Sequence, residues 1–153
     1  MAKEVRIDIE KLLVSIVLVL TFVFLPKYGY LGYGDIWNHL LYPFSHANIF
    51  HLLANILCFW MIRCKTDLLL CFIVSFLCSF LPSLSCEPTM GFSGILFAIV
   101  GMSWGRSGRF LEMLKRNMWF LIIPMFIPHV NGLLHVYCML AGYILGVFYE
   151  ERG

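Results

Sequence analysis

The residues of this chain best suited to chemistry are a serine and a histidine that stand far apart in the sequence. Ser93 lies in the stretch Gly91-Phe92-Ser93-Gly94, where an apolar segment begins, and His135 lies near the start of the last apolar segment. A serine hydroxyl becomes a nucleophile at neutral pH when a base accepts its proton, and histidine is the usual base. Alternatively, Ser93 caps a helix or packs against a neighbouring helix, as serines in membrane proteins often do. The pair therefore indicates either a nucleophilic site or polar contacts between helices.

Two further polar residues could support such a site. His51 and Asn55 are four positions apart in an apolar segment, so they share one face of a helix. Together with the Ser93 backbone N–H, they could donate hydrogen bonds to the oxyanion of an acyl-transfer intermediate. Alternatively, they form interhelical hydrogen bonds that hold the helices together. All acidic residues lie in tails or connectors, so we expect a Ser-His dyad without an orienting carboxylate. His39 and His129 are expected to be solvated loop residues.

The composition indicates a membrane protein. Hydrophobic residues make up 61% of the 153 residues and charged residues only 13%. A soluble domain of this size has too much surface to hide that many apolar side chains. The net charge of +2, without a basic cluster that contains aromatic residues, gives no reason to expect nucleic-acid binding. The six cysteines include no Cys-x-x-Cys pair, so we expect no metal site, no cofactor and no disulfide framework.

Six apolar runs follow one another along the chain. They cover roughly residues 12–25, 46–62, 68–81, 91–104, 118–127 and 133–149. Several are shorter than the ~20 residues of an ordinary span, which local thinning of the bilayer can accommodate. We predict an all-α membrane protein with six transmembrane helices in one domain, residues 1–153, of which residues 1–11 form a short cytoplasmic segment. Residues 28–43, which are rich in Gly, Tyr and Trp, are predicted to form an interfacial loop with aromatic anchors.

The basic residues predict the orientation. Apart from Lys27, every Lys and Arg lies at the N-terminus, after the second run, after the fourth run or at the C-terminus. These positions share one face of a six-span protein, and the positive-inside rule makes that face cytoplasmic. We therefore expect both termini in the cytoplasm and the Ser93 end of the fourth run at the outer face. We also expect a location in a bacterial inner membrane.

Small residues predict how the serine and the histidine meet. They form a stripe on the fourth run that consists of Gly94, Ala98, Gly101 and Gly105. On the sixth run, Gly142 and Gly146 fall on the same helix face as His135. Facing stripes of small residues let two backbones approach closely. We predict that the fourth run packs on the sixth through these stripes and that Ser93 meets His135 at the outer end.

Taken together, these stretches resemble the rhomboid family of intramembrane serine proteases. The matching elements are Gly91-Phe92-Ser93-Gly94, His135 with Gly142 and Gly146, residues 46–55 with His51 and Asn55, and Trp37 in the first loop. Two positions depart from the family's pattern. Asn38 follows Trp37 where the family has arginine, and Cys138 stands where a glycine often follows the histidine. Neither departure touches Ser93 or His135.

The resemblance implies a six-helix core and a serine endopeptidase that cleaves transmembrane segments near the outer membrane face. Ser93 would be the nucleophile, His135 the general base, and His51 and Asn55 the oxyanion ligands. The implied partners are transmembrane protein substrates and the lipid bilayer. Two alternatives remain: a non-catalytic rhomboid-like protein that binds membrane clients, which would typically lack the serine or the histidine, and a small transporter, whose polar residues would be spread across the midplane.

Overall fold

Helices account for most of the chain that the structure covers. The computed structural model describes residues 8–30, 35–63, 67–81, 89–126 and 130–149. Within these ranges it contains seven α-helices: α1 (Ile9–Phe24), α2 (Ile36–Leu41), α3 (Ile49–Met61), α4 (Leu68–Cys78), α5 (Ser93–Ser107), α6 (Phe110–Phe126) and α7 (Gly132–Phe148). A short 3₁₀ helix, Tyr42–Phe44, continues α2. Six of the seven α-helices correspond to the six predicted apolar runs.

Local sequence signals account for most helix starts. A side-chain oxygen accepts a hydrogen bond from a backbone N–H of the first turn in five helices, and the capping residues are Asp8, Asp35, Asn48, Asp67 and Asn131. Such caps satisfy N–H groups that have no partner inside the helix. Helix α5 starts at Ser93 without a side-chain cap and ends at Gly108, whose φ of 66° is left-handed. The start of α5 thus differs from those of the capped helices.

Helix α5 lies at the centre of the fold and packs most extensively on α7. A Cβ atom at Gly101 would collide with the Met139 carbonyl oxygen, and one at Gly142 would collide with the Ala98 carbonyl oxygen. Gly105 and Gly146 are equally close to the opposite backbone. The predicted packing of the fourth run on the sixth through small residues is therefore confirmed.

Helix α1 lies at the side of this core, against the segment that leads through α3. The Lys11 ammonium group donates to the Ile62 carbonyl at one end of α1, and the Thr21 hydroxyl donates to the Phe44 carbonyl at 2.8 Å towards the other. The helix buries Leu18, while large apolar side chains elsewhere on its surface are exposed. A helix that is apolar on its outward face is unusual on a protein that meets water on that side.

The ends of several helices that carry charged residues lie together. The Arg106 guanidinium group is 4.8 Å from the centre of the Tyr149 ring, and the Tyr149 hydroxyl donates to the Asp67 carboxylate at 3.3 Å. These contacts join the end of α5, the end of α7 and the start of α4. The contact between Lys11 and Ile62 places the start of α1 beside the end of α3. Ser93 and His135 belong to the opposite ends of α5 and α7.

None of the described helices is, by itself, both long and apolar enough to cross a membrane. The segments Ile36–Phe44 and Ile49–Met61 meet the requirement of length and composition only as a pair, and a bend of 73° separates them. Leu68–Cys78 and Gly132–Phe148 are shorter apolar helices.

Two parts of the chain differ from the sequence prediction. The segment 28–43, predicted to be a loop, contains α2 and the 3₁₀ helix, because Asp35 caps a helix that then continues through Phe44. Helix α6 begins at Phe110, ahead of the predicted start at residue 118, and its backbone leaves helical geometry at Asn117 (φ −116°, ψ 15°). The part of α6 beyond Asn117 coincides with the predicted fifth run.

The prediction that His39 is solvated is wrong. Its side chain is fully buried and stacks between the rings of Tyr30 (4.4 Å between ring centres) and Phe80 (4.1 Å). Its Nδ1 atom is 2.8 Å from the Ser79 hydroxyl. The burial arises because α2 packs against the C-terminal end of α4, a long-range contact that local sequence does not reveal. His129 lies outside the described residues.

Candidate active site

Ser93 and His135 meet as predicted. Ser93 Oγ is 2.8 Å from His135 Nε2, a normal hydrogen-bond distance. Ser93 is the first residue of α5, and His135 lies in the first turn of α7, so the two helix starts bring the side chains together. If Nε2 accepts the serine proton, the imidazole proton is on Nδ1. That nitrogen is buried and has no hydrogen-bond partner among the described residues.

The His135 ring is held by stacking. The Phe97 ring lies parallel to the imidazole, with 4.3 Å between ring centres and an interplanar angle of 8°. Phe97 follows Ser93 by one helical turn, so it projects from the same face of α5 as the nucleophile candidate. The sequence reasoning did not identify Phe97, because an aromatic residue within an apolar run carries no distinctive signal apart from this spacing.

Gly91 allows the chain to pass closely over His51 just before α5. Its φ is +122°, a conformation that L side chains rarely adopt. A Cβ atom at this position would lie 2.6 Å from His51 Cε1 and 2.8 Å from Nε2. The Gly91 N–H donates to the Tyr42 carbonyl at 2.9 Å, which holds the loop in place. The first glycine of the motif is thus required by both backbone conformation and space.

His51 and Asn55 occupy successive turns of α3 and face the same space as Ser93. The Asn55 side-chain amide donates to the His51 carbonyl at 3.1 Å, and Asn55 is buried. One of its two N–H bonds therefore has a partner within its own helix, and the second is left for another acceptor. His46 is fully buried, and its ring packs against that of His51 with 5.2 Å between ring centres.

A cavity of about 220 Å³ lies where these elements converge. Its lining combines the polar groups described above with small and apolar side chains: Tyr42, His51, Ala54, Asn55, Thr89, Met90, Gly91, Ser93, Val130, Asn131, Leu134 and His135. All four sequence-predicted site residues belong to this lining. Trp37, by contrast, is 60% exposed on α2 and does not line the cavity.

The groups that line the cavity suit nucleophilic chemistry. Across the described ranges, no three His, Cys, Asp or Glu side chains are close enough to hold a metal ion. A hydroxyl bonded to an imidazole, beside polar groups and an open volume, can perform nucleophilic chemistry on a carbonyl carbon.

Comparison with known proteins points to one class of relative. No family model matches the chain. The chain is 28% identical over 154 aligned residues to the "Putative rhomboid protein L523" of Acanthamoeba polyphaga mimivirus, and the alignment covers 90% of this chain and 88% of that protein. A relative from a virus gives no support to a bacterial origin. The similarity supports a distant rhomboid-like relationship that extends over most of the chain.

Proposed function

We propose that this protein is a rhomboid-type intramembrane serine endopeptidase in which Ser93 is the nucleophile and His135 the general base. The observation that carries the proposal is the 2.8 Å contact between Ser93 Oγ and His135 Nε2 at the edge of the cavity. The residues come from separate helices, and a hydroxyl paired with an imidazole is the arrangement that activates serine.

The chemistry follows from the positions of these atoms. Ser93 Oγ attacks the carbonyl carbon of the scissile peptide while His135 Nε2 takes the hydroxyl proton and then gives it to the leaving amine. A water molecule, activated by the same nitrogen, hydrolyses the acyl-enzyme. Parallel stacking on Phe97 keeps the imidazole in one plane through both proton transfers.

The negative oxygen of the tetrahedral intermediate needs preorganised donors. The Ser93 backbone N–H is the first of α5, so it has no acceptor within the helix and lies at the positive end of the helix dipole. The His51 imidazole and the second N–H of the Asn55 amide face the same cavity. These three groups are the proposed oxyanion hole.

A membrane location is supported by the surface of the protein. Large apolar side chains are exposed on α1, α3 and α7, including Phe24, Phe50 and Phe148, each at least 75% exposed. In water such a surface would be an aggregation hazard, whereas lipid covers it at no cost. Helix α7 has 17 residues and is about 26 Å long. This is slightly less than the ~30 Å of a hydrocarbon core, so the proposed span is completed either by a locally thin bilayer or by non-helical residues next to the helix.

The proposed substrates are transmembrane segments of other membrane proteins, cut near the outer face. A helical peptide bond is inaccessible to Ser93 until the substrate backbone is extended, and small or helix-breaking residues make that unwinding easier. We propose that both termini lie in the cytoplasm, and the distribution of the basic residues supports this orientation.

The deciding experiment is labelling with a serine-directed fluorophosphonate. The purified native chain is expected to react, and Ser93→Ala is expected to be inert. Ser103→Ala is the matched control, because Ser103 is on the same helix but does not line the cavity. In parallel, the native chain and Ser93→Ala are compared for cleavage of a transmembrane substrate in proteoliposomes. Undiminished cleavage by Ser93→Ala would refute the nucleophile, and a folded native chain that neither labels nor cleaves would favour the client-binding alternative.

A further inference from the structure

Two residues that are hydrogen-bonded to each other precede the two reactive residues at the same spacing. Thr89 stands four positions before Ser93, and Asn131 stands four positions before His135. The Asn131 side-chain amide donates to Thr89 Oγ1 at 3.0 Å, and both residues are buried. Two contacts therefore connect the starts of α5 and α7. One is this bond, and the other is the contact between Ser93 and His135, which follows it along both segments.

Each end of the Thr89–Asn131 bond is itself fixed. Thr89 exchanges two backbone hydrogen bonds with Tyr30, at 2.7 and 3.1 Å, and Tyr30 is buried against His39 and Tyr42. Asn131 caps α7, because its Oδ1 accepts from the Leu134 N–H at 3.1 Å. The amide group of Asn131 thus uses its oxygen to start α7 and its nitrogen to attach that start to the loop before α5.

The bond lies where side chains, not backbone, form the contact between α5 and α7. Deeper in the fold, backbone touches backbone at Gly101, Gly142 and Gly146. Near the site the contact is different, because a Cβ at Gly94 would meet the hydroxyls of Ser75 and Tyr42 first and then Cys138 Sγ of α7 at 3.5 Å. A side chain, not a bare backbone, separates the helices at that level. At that level α5 and α7 are connected through side chains: by the Ser93–His135 contact, by the stacking of Phe97 on His135, and by the bond between Asn131 and Thr89.

We propose that Asn131 and Thr89 are positioning residues, whose hydrogen bond sets the register of α7 against α5 and thereby the distance between Ser93 Oγ and His135 Nε2. This inference rests on the proposed function for its catalytic consequence, although the register itself is a structural property. Proton transfer requires the two atoms to stay within hydrogen-bond reach, and a displacement of ~1 Å can lower a rate ~100-fold. Because both residues also line the cavity, loss of the bond is expected to slow acylation more than it weakens the initial binding of a ligand.

The test uses three variants of the full chain. Thr89→Val removes the acceptor at nearly constant shape. Asn131→Ser keeps an oxygen that can cap α7 but is too short to reach Thr89. Thr89→Ser keeps the hydroxyl and is the conservative control. For each, fluorophosphonate inactivation is separated into an affinity for the probe and a maximal rate of acylation, and the melting temperature is recorded.

The expected result is a ~10- to 100-fold lower acylation rate in Thr89→Val and Asn131→Ser, with a much smaller change in probe affinity. Thr89→Ser should recover most of the rate. The double variant Thr89→Val/Asn131→Ser should be no slower than the slower single variant, because both substitutions remove the same bond. If the two residues were purely structural, their substitution would lower the melting temperature without lowering the acylation rate more than the probe affinity. An unchanged acylation rate in Thr89→Val, or equal defects in Thr89→Val and Thr89→Ser, would overturn the proposal.

Amide hydrogen exchange separates a failure of this inference from a failure of the proposed function. In Thr89→Val, peptides from the first turn of α7 should exchange several-fold faster than in the native chain, whereas peptides from α1 should be unaffected. If the native chain does not react with the probe, the proposed function fails. In that case the hydrogen-exchange result by itself tests the proposed register. Equal protection of the first turn of α7 in the native chain and in Thr89→Val would contradict the proposal.

Discussion

Replacing Gly91 by alanine tests the geometry of the oxyanion side of the site. The new Cβ would lie 2.6 Å from His51 Cε1, whereas ordinary contacts begin at 3.4 Å, so the imidazole must retreat by about 0.8 Å. A shift of this size at a catalytic group can lower a rate by ~10²-fold, and removal of one oxyanion donor costs ~10²–10³. The positive φ adds strain of about 1–3 kcal/mol. Gly91→Ala should therefore lower the acylation rate nearly as much as His51→Ala does, and should also reduce stability.

Gly108→Ala is the control that isolates backbone strain. Gly108 has a φ of +66°, yet nothing lies within 4 Å of the position of its Cβ. Its replacement should destabilise the fold by about 1–2 kcal/mol through the left-handed backbone alone and leave the labelling rate intact. Rates of fluorophosphonate labelling and melting temperatures are measured for both variants.

The double variant Gly91→Ala/His51→Ala provides the internal check. Because both substitutions act through the same imidazole, its labelling should be no slower than that of the slower single variant. The reasoning is refuted if Gly91→Ala labels as fast as Gly108→Ala. Additive losses in the double variant would show that the methyl group acts on something other than His51.

Three further outcomes are expected. His135→Ala should abolish both labelling and turnover, because His135 is the base to which Ser93 Oγ is hydrogen-bonded in the described part of the chain. His51→Ala should leave slow labelling at ~10⁻²–10⁻³ of the native rate, and the reverse order would exchange the two roles. Phe97→Leu keeps an apolar side chain but removes the flat ring over the imidazole, so it should slow labelling by ~2- to 10-fold, while Phe97→Tyr should retain the native rate. Equal labelling rates in Phe97→Leu and Phe97→Tyr would show that stacking does not contribute to the mechanism. In a cysteine-free background, a membrane-impermeant thiol reagent should label Lys27→Cys from outside the cell but not Arg109→Cys, and the opposite pattern would invert the topology.

The meeting of Ser93 and His135 could be predicted because it depends on patterns within single helices. Small residues at helical spacing mark the face along which α5 and α7 approach, and the reactive residues lie at the same ends of those faces. The same logic located His51 and Asn55, since spacing by one turn fixes a shared face. Such predictions need only the helical period and the direction of each segment.

The burial of His39 could not be predicted in this way. Its environment is created by Tyr30, which precedes it in the chain, and by Phe80, which comes from the end of α4. Neither contact can be predicted from the local sequence, because a segment of glycines and aromatic residues around a histidine has the composition of a solvated loop. The role of Phe97 could not be predicted for the opposite reason. Its neighbours in the sequence are uniformly apolar, so only the fold shows that it stacks on His135.

The shortness of the apolar runs and the depth of the site are explained by one arrangement. From Ser93 to Arg106 is 13 residues of helix, or about 20 Å, and from His135 to Tyr149 is 14 residues, or about 21 Å. If Arg106 and Tyr149 mark the cytoplasmic boundary of the proposed span, both reactive residues lie about 10 Å below the opposite boundary of a ~30 Å hydrocarbon core. Helices α5 and α7 then start at the site, not at the membrane surface, and the described residues just before them, 89–92 and 130–131, lie below that surface. Their backbone groups can remain non-helical at that depth because they line a polar cavity and bond to neighbouring segments, as Gly91 bonds to Tyr42 and Thr89 to Tyr30. In this arrangement the runs of α5 and α7 are short because the residues just before each helix complete the proposed span.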